Sequence, residues 1–232
     1  MALILCLETS TTAGSVALHQ DGTLLACTEL VREKSHAESL NTMVDFVCRR
    51  AHRTLADIDA VAVSAGPGSY TGLRIGVSAA KGFCFAQDKP LLGIPTLAIM
   101  AHEVNRFNRS EALLCPMIDA RRMEVYCALF NHRLEEVLAT QPLVLQEDSF
   151  AAALDEHPIY FFGDGAAKSK PLLQDHPHAH FVEDVYPSAR SMGVLAEEAF
   201  QREAWEDLAY FTPRYLKEFA SHLKSKSKPK PA

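Results

Sequence analysis

The segment Ser64–Gly82, "SAGPGSYTGLRIGVSAAKG", follows the apolar run Asp59–Val63 and joins a glycine-rich loop to a helical pattern. A glycine loop between a strand and a helix can cradle phosphate, because free backbone N–H groups point out of a helix N-terminus. A P-loop then needs a lysine beside a serine or threonine to reach the phosphates and their magnesium. That place holds Leu73 and Arg74, and the glycine spacing also departs from the dinucleotide fingerprint. A weak anion site at the helix N-terminus is what remains of the phosphate reading.

The glycines have a second physical use. Gly72, Gly76 and Ala80 stand four apart and share one helix face, with Ala79 and Gly82 nearby. A glycine inside a helix costs up to about 1 kcal/mol relative to alanine. Two in one helix imply that another backbone comes close to a face without side chains. Leu73, Val77 and Cys84 flank the stripe. Two readings stay open: tight packing inside its own domain, or a helix–helix contact with another subunit.

Other constellations are weaker. His176, His178 and His180 alternate in "DHPHAHF" and would share one side of a strand, but no carboxylate or cysteine completes a metal set at obvious spacing. His36 and Glu38 beside Ser35 point in different directions at a helix start, which suits a cap region rather than a triad. Asp119, Arg121, Arg122 and Glu124 crowd one turn, as a satisfied charge cluster or a partner contact. The Gly163–Gly165 "GDG" reads as a turn between strand and helix, with anion binding as the alternative. The six cysteines form no CxxC pair and sit mostly in apolar runs, as expected of buried free thiols in a reducing compartment.

The elements that must position these residues follow from periodicity. Strands are expected at Ala2–Leu7, Ser15–His19 and Leu24–Val31, the last two joined by a "QDGT" turn. A helix over Ser35–His52 places Leu40, Met43, Val44, Val47 and Cys48 at helical spacing. A strand at Asp59–Val63, a helix from Thr71 to Ala86, a strand at Leu91–Ile94 and a helix from Pro95 to Asn105 complete the first half. This order gives a mixed sheet with helices on both faces.

In the second half, "ALLCPMIDA" and "MEVYCALFN" form two strands around a turn at Ala120–Arg122. Further β structure is expected at Arg133–Ala139, Pro142–Leu145, Ile159–Phe162 and in "HAHFVEDV", with helices at Phe150–Leu154, after Gly165 and at Ser188–Glu203. No short repeat is present, but the halves could be related subdomains. The tail, with Lys224, Lys226, Lys228 and Lys230, reads as disordered and solubilising, with weak RNA contact as the alternative.

Composition bounds the function. The 232 residues are 48% apolar and 22% charged, enough for a sizeable core, and the net charge is −6. That balance argues against tight, independent nucleic-acid binding, which needs a basic surface. No apolar run is long enough for a bilayer, and the N-terminus reads as a first strand rather than a signal segment; a cytoplasmic protein is expected.

In this order along the chain, "LETSTTAGSVAL", the glycine segment extended to "KGFCFAQDKPLLGIPTLAIMA", "PMIDARRMEVYCALF" and "GDGA" resemble the TsaB (YeaZ) family over about residues 2–215. The resemblance implies an α/β fold of the actin/Hsp70/sugar-kinase type (ASKHA) with two subdomains of mixed sheet and helices. These would be residues 1–108, with the dimerisation helices, and residues 109–218, followed by a basic tail at 219–232.

It also implies a scaffold or activating subunit that is not an enzyme on its own. Such a subunit works with a TsaD-like catalytic paralogue and a TsaE-like ATPase. Together they transfer threonylcarbamoyl from its adenylate to N6 of adenosine 37 in tRNAs reading codons that begin with A. The tRNA is met only within the complex, no membrane is involved, and without its partner the chain is expected to homodimerise through the same helices. The interface residues would be Leu40, Met43, Val44, Val47, Gly72, Leu73, Gly76, Val77 and Ala80. No resident cofactor is implied, although a nucleotide at the partner interface stays open.

Nucleotide-binding members of the superfamily place an acidic residue at the end of the first strand to handle phosphate and magnesium. Glu8 takes that place here, followed by Thr9, Ser10, Thr11 and Thr12. Glu8, Ser10 and Thr11 are therefore candidate phosphate residues, against the alternative of a polar hairpin inherited with the fold. The catalytic paralogue holds a metal through two histidines four apart. Here only His102 is present, with Ala98 four residues earlier, so no metal site is expected and His102 reads as a helix-surface residue. A small-molecule kinase or ATPase of the same fold is the rival class, with a metallopeptidase-like protein further behind.

Overall fold

The computed structural model describes residues 1–31 and 36–217. The expected basic tail lies outside the described residues, as do Ser35 and Glu218 of the expected elements. Two five-stranded sheets share one plan. The first has the order β3-β2-β1-β4-β5, from β1 Leu3–Glu8, β2 Ala13–Gln20, β3 Thr23–Val31, β4 Ala60–Gly66 and β5 Leu91–Pro95. The second comprises β6 Leu113–Asp119, β7 Glu124–Phe130, β8 Glu136–Val144, β9 Ile159–Phe162 and β10 Ala179–Val182, ordered β10-β9-β6-β7-β8. In each, three antiparallel strands are extended by two parallel ones on the far side of the first strand. The two halves are thus built alike.

Strand β1 is buried on both faces, which is why it reads as an unbroken apolar run. Its Leu3, Leu5 and Leu7 join one core with α1 (His36–Arg50) and α2 (Tyr70–Gln87). Ile4 and Cys6 point the other way, into a core with Ile99 of α3 (Thr96–Asn105) and Met192 and Ala196 of α6 (Ala189–Gln201). The second sheet carries the short α4 (Ala151–Glu156) and α5 (Ala166–Leu173). Leu97, Met100 and Ala101 of α3 pack on Leu114, Ile118 and Phe162, so α3 ties the two sheets together.

Of three departures from expectation, the first two have physical reasons. Helix α6 follows the second sheet in sequence and was expected to belong with it, yet its small apolar face completes the first core. His19 fixes it there: the ring lies against Gly193, with Nε2 3.0 Å from the Ala189 carbonyl. Strand β8 runs unbroken through Pro142, where two pieces were expected, because β8 is an edge strand and tolerates a missing N–H. The expected "HAHFVEDV" strand is cut to Ala179–Val182.

After α6, residues 204–217 run back along the free edge of β5. The Glu206 N–H donates to the Leu91 carbonyl at 2.9 Å, and the Phe211 ring covers Gly93. This strap covers an edge that would otherwise offer unpaired backbone groups. Among the described residues, no helix is long and apolar enough to cross a membrane.

Candidate functional site

The glycine segment is shaped by the turn that follows β1. The Ser69 N–H donates to the Ser10 carbonyl at 2.6 Å, and Thr9 Oγ1 donates to the Gly72 carbonyl at 2.8 Å. A Cβ added at Gly68, Gly72 or Gly76 would come closer than 3.0 Å to Ser10 or Thr9. The stripe therefore accommodates the chain's own β1–β2 turn. The alternative of a second subunit against Gly72, Gly76 and Ala80 is corrected accordingly.

The same correction applies to most of the expected interface. Leu40, Val44, Val47, Gly72, Leu73, Gly76, Val77 and Ala80 are all buried by this chain itself, and Met43 is half-buried. An amphipathic helix spends its apolar face on its own sheet first.

Of the candidate phosphate residues, Glu8 ends β1, and Ser10 and Thr11 belong to the turn itself. Glu8, Ser10 and Thr11 are buried, and Glu8 Oε1 accepts the Ser10 N–H at 2.5 Å. Burial pushes the Glu8 carboxyl up to about 7, against the lowering effect of the Ser10 N–H and the nearby polar groups of Ser10, Ser64 and Thr9. At the start of α2 the Gly72 N–H donates to Ser69 Oγ at 3.2 Å. With the Ser69 and Gly72 N–H groups engaged, this loop is a packed joint rather than an open phosphate cradle.

The "GDG" turn repeats this device in the second half. Gly163 lies against β6 as closely as Gly68 and Gly72 lie against the turn after β1, and a Cβ added at Gly165 would also come closer than 3.0 Å to β6. Asp164 Oδ1 accepts the Asp119 N–H at 2.9 Å, and burial raises the Asp164 carboxyl. Lys168, which the sequence did not single out, pairs with Asp119 at 2.7 Å. The Asp119–Glu124 turn is thus held by internal charge pairing, while Arg121 and Arg122 stay exposed.

Among the described residues, the histidines form no metal set, although the His176 and His178 rings lie 5.7 Å apart. His176 and His178 precede β10, and His178 Nδ1 lies 2.7 Å from the Leu154 carbonyl. His102 is half-buried rather than on the surface, and burial lowers its pKa. Among the described residues, no group of three or more His, Cys, Asp or Glu side chains suits a metal. All six cysteines are free; burial pushes the thiols of Cys6, Cys27, Cys48, Cys84, Cys115 and Cys127 upward, so they are poor nucleophiles.

What α1 and α2 leave outside is a different set. Thr71, Arg74, Ser78, Gly82 and Phe85 are exposed along α2, with Ile75 and Ala79 half-covered between them. A shallow groove runs between this face and Ala37 and Asn41 of α1. Among the described residues, a Cβ added at Gly82 would meet nothing within 4 Å. Phe85 is 83% exposed, and Phe46 of α1 is 45% exposed. Sequence reasoning missed this outer face, although one signal was present: Ser78 and Gly82 are also four apart, two positions beyond the inner stripe.

Comparisons with known proteins agree with this architecture. The family profile described as "TsaD: tRNA N6-adenosine threonylcarbamoyltransferase" matches residues 29–225. The chain is similar to the tRNA threonylcarbamoyladenosine biosynthesis protein TsaB of Escherichia coli, 41% identical over 55% of this chain and 54% of that protein. It thus spans about half the length of that curated relative. The solved structure of YeaZ from Pseudomonas aeruginosa is similar over 93% of this chain and 100% of that one, with a TM-score of 0.80 and 32% identity. An activator of 2-hydroxyisocaproyl-CoA dehydratase from Clostridium difficile shares the fold alone, with a TM-score of 0.52 at 9% identity over 87% of this chain and 96% of that one.

Proposed function

We propose, from the premise that the chain belongs to the TsaB (YeaZ) family and has the ASKHA fold, that it is the non-catalytic partner of a TsaD-like threonylcarbamoyltransferase. In this reading it docks on that catalytic paralogue, stabilises it and helps form the complex that receives tRNA. The TsaE-like ATPase joins through the complex, and the chain acts in the cytoplasm. The transferred group moves on the partner, from the adenylate to N6 of the tRNA adenosine.

The observation that supports this reading best is the outer face of α1 and α2. Gly82 carries the helical cost of a glycine, and among the described residues no neighbour requires it. Phe85, three residues further along the same helix, is exposed, and Phe46 of α1 is exposed with the Arg50 guanidinium 5.2 Å from its ring centroid. A face of small and apolar residues lets a second helix pair approach closely. A homodimer through the same face is the state proposed for the isolated chain.

The kinase alternative is not favoured, because Glu8 is sealed under its own turn. The test is reconstitution. The chain alone, the TsaD-like partner alone and the mixture with the TsaE-like protein are each assayed for threonylcarbamoyl transfer to tRNA. Transfer by the mixture and none by this chain alone is expected; transfer by the chain alone would overturn the scaffold reading.

A further inference from the structure

The end of the strap lies against the start of α2. The Tyr215 ring is 5.0 Å from the Tyr70 ring, centroid to centroid, with the planes at 38°. Tyr70 also carries Arg74: the guanidinium lies 5.1 Å from the ring centroid, and Nη1 donates to the tyrosine hydroxyl at 2.9 Å. Tyr70 and Arg74 line the groove between α1 and α2.

Covering the β5 edge does not account for this stack. That task is complete at Phe211, and Tyr215 remains 40% exposed. The strap is nonetheless fastened on both sides of Tyr215. The Arg214 N–H donates to the Ala65 carbonyl at 2.7 Å, and Lys217 pairs with Glu124 of the second sheet. Lys81 of α2 adds a bond to the Ala209 carbonyl at 3.2 Å. The backbone is fixed where Tyr215 meets Tyr70, and the stack holds Arg74 at the groove's rim. Among the described residues, Arg74 has no carboxylate partner.

We infer that the strap is part of the docking surface, an inference that rests on the docking reading above. Tyr215 is a positioning residue that orients Tyr70 and Arg74, and Arg74 receives a carboxylate from an apolar helical face of the TsaD-like partner. A guanidinium held over a ring has lost much of its rotamer freedom before the partner arrives, so less is lost on docking. Its planar fork then matches a carboxylate in a way that lysine cannot. This adds charge recognition at one end of a face that is otherwise small and apolar.

The experiment is calorimetric titration of the full-length chain against the catalytic partner. Arg74→Gln is expected to weaken binding about tenfold, and Arg74→Lys to recover only part of that loss. Tyr215→Ala should weaken it about threefold to tenfold, whereas Tyr215→Phe keeps the ring and binds as the wild type does. The two losses should be less than additive, because both act through the same guanidinium. Added salt should weaken the wild type more than Arg74→Gln. Pairing of equal strength by wild type, Arg74→Gln and Tyr215→Ala overturns this inference alone. Failure of the wild type to pair overturns the docking reading and this inference with it.

Discussion

On its inner face α2 carries Gly72 and Gly76, where any added Cβ would collide with Thr9; on its outer face it carries Gly82, where a Cβ meets nothing within 4 Å. The residue type is the same and the helical cost is similar. The inner glycines are explained within the chain, because the turn after β1 presses into the helix and bonds to it through Thr9. Among the described residues, no contact explains the outer one. Small residues at four-residue spacing announce a close approach, but the spacing does not say what approaches. Only the packing separates the face that folds this chain from the face left for something else.

The largest effect is expected on the inner face. Gly76→Ala places a methyl group against Thr9 and Val63, and should destabilise the fold by about 3 kcal/mol. Thermal unfolding measures this, and an unchanged midpoint would break the distinction between the faces.

The acid–base behaviour beneath that face comes next. Glu8 has its pKa raised from 4.5 to about 7 by burial. The folded chain therefore holds a proton that the unfolded chain has released. The associated stability is fully present below pH 4.5 and is lost as pH rises through about 7, up to about 3 kcal/mol in all. Glu8→Gln should flatten that alkaline loss. His19 acts in the opposite sense: burial lowers its pKa, so stability is lost as pH falls below the ordinary histidine value of about 6.5. Urea unfolding at a series of pH values reads both slopes. A Glu8→Gln variant with the wild-type profile would contradict the sealed carboxyl.

A smaller change sharpens the same face. Thr9→Val keeps the shape but deletes the hydroxyl bond to the Gly72 carbonyl, and should cost about 1 kcal/mol. The smallest effect on the fold is expected outside. Gly82→Glu has room and improves helix propensity, so its stability should stay within about 1 kcal/mol of the wild type.

Much of the fold was legible because its elements state their burial. The doubly buried β1, the amphipathic α1 and the glycine-led α2 stand where periodicity placed them, within a residue or two. The "GDG" turn was also legible as a joint between strand and helix. Long-range choices were harder to read. The apolar face of α6 suits either sheet, and the ring of His19 against Gly193 belongs to the first. The two β pieces expected at Arg133–Ala139 and Pro142–Leu145 form one edge strand, β8.

The candidate site was half legible. α1 and α2 were identified, but the residues chosen on them, such as Leu40, Val44, Gly72 and Gly76, were the most apolar or the smallest, and a helix uses those first for its own core. The outward set, Arg74, Ser78, Gly82 and Phe85, mixes residue types and shows no hydrophobic period. Tyr215 could not be assigned to it at all, because its meeting with Tyr70 depends on a strap folding back from the far end of the chain.

The central claim is that the outer face of α1 and α2 is where the catalytic partner docks. The direct measurement is binding of the TsaD-like partner to wild type and to Gly82→Glu, with threonylcarbamoyl transfer assayed on the same mixtures. Tight pairing and transfer with the wild type are predicted, with both lost in a Gly82→Glu chain that melts as the wild type does. Equal pairing and transfer by the two chains would contradict it.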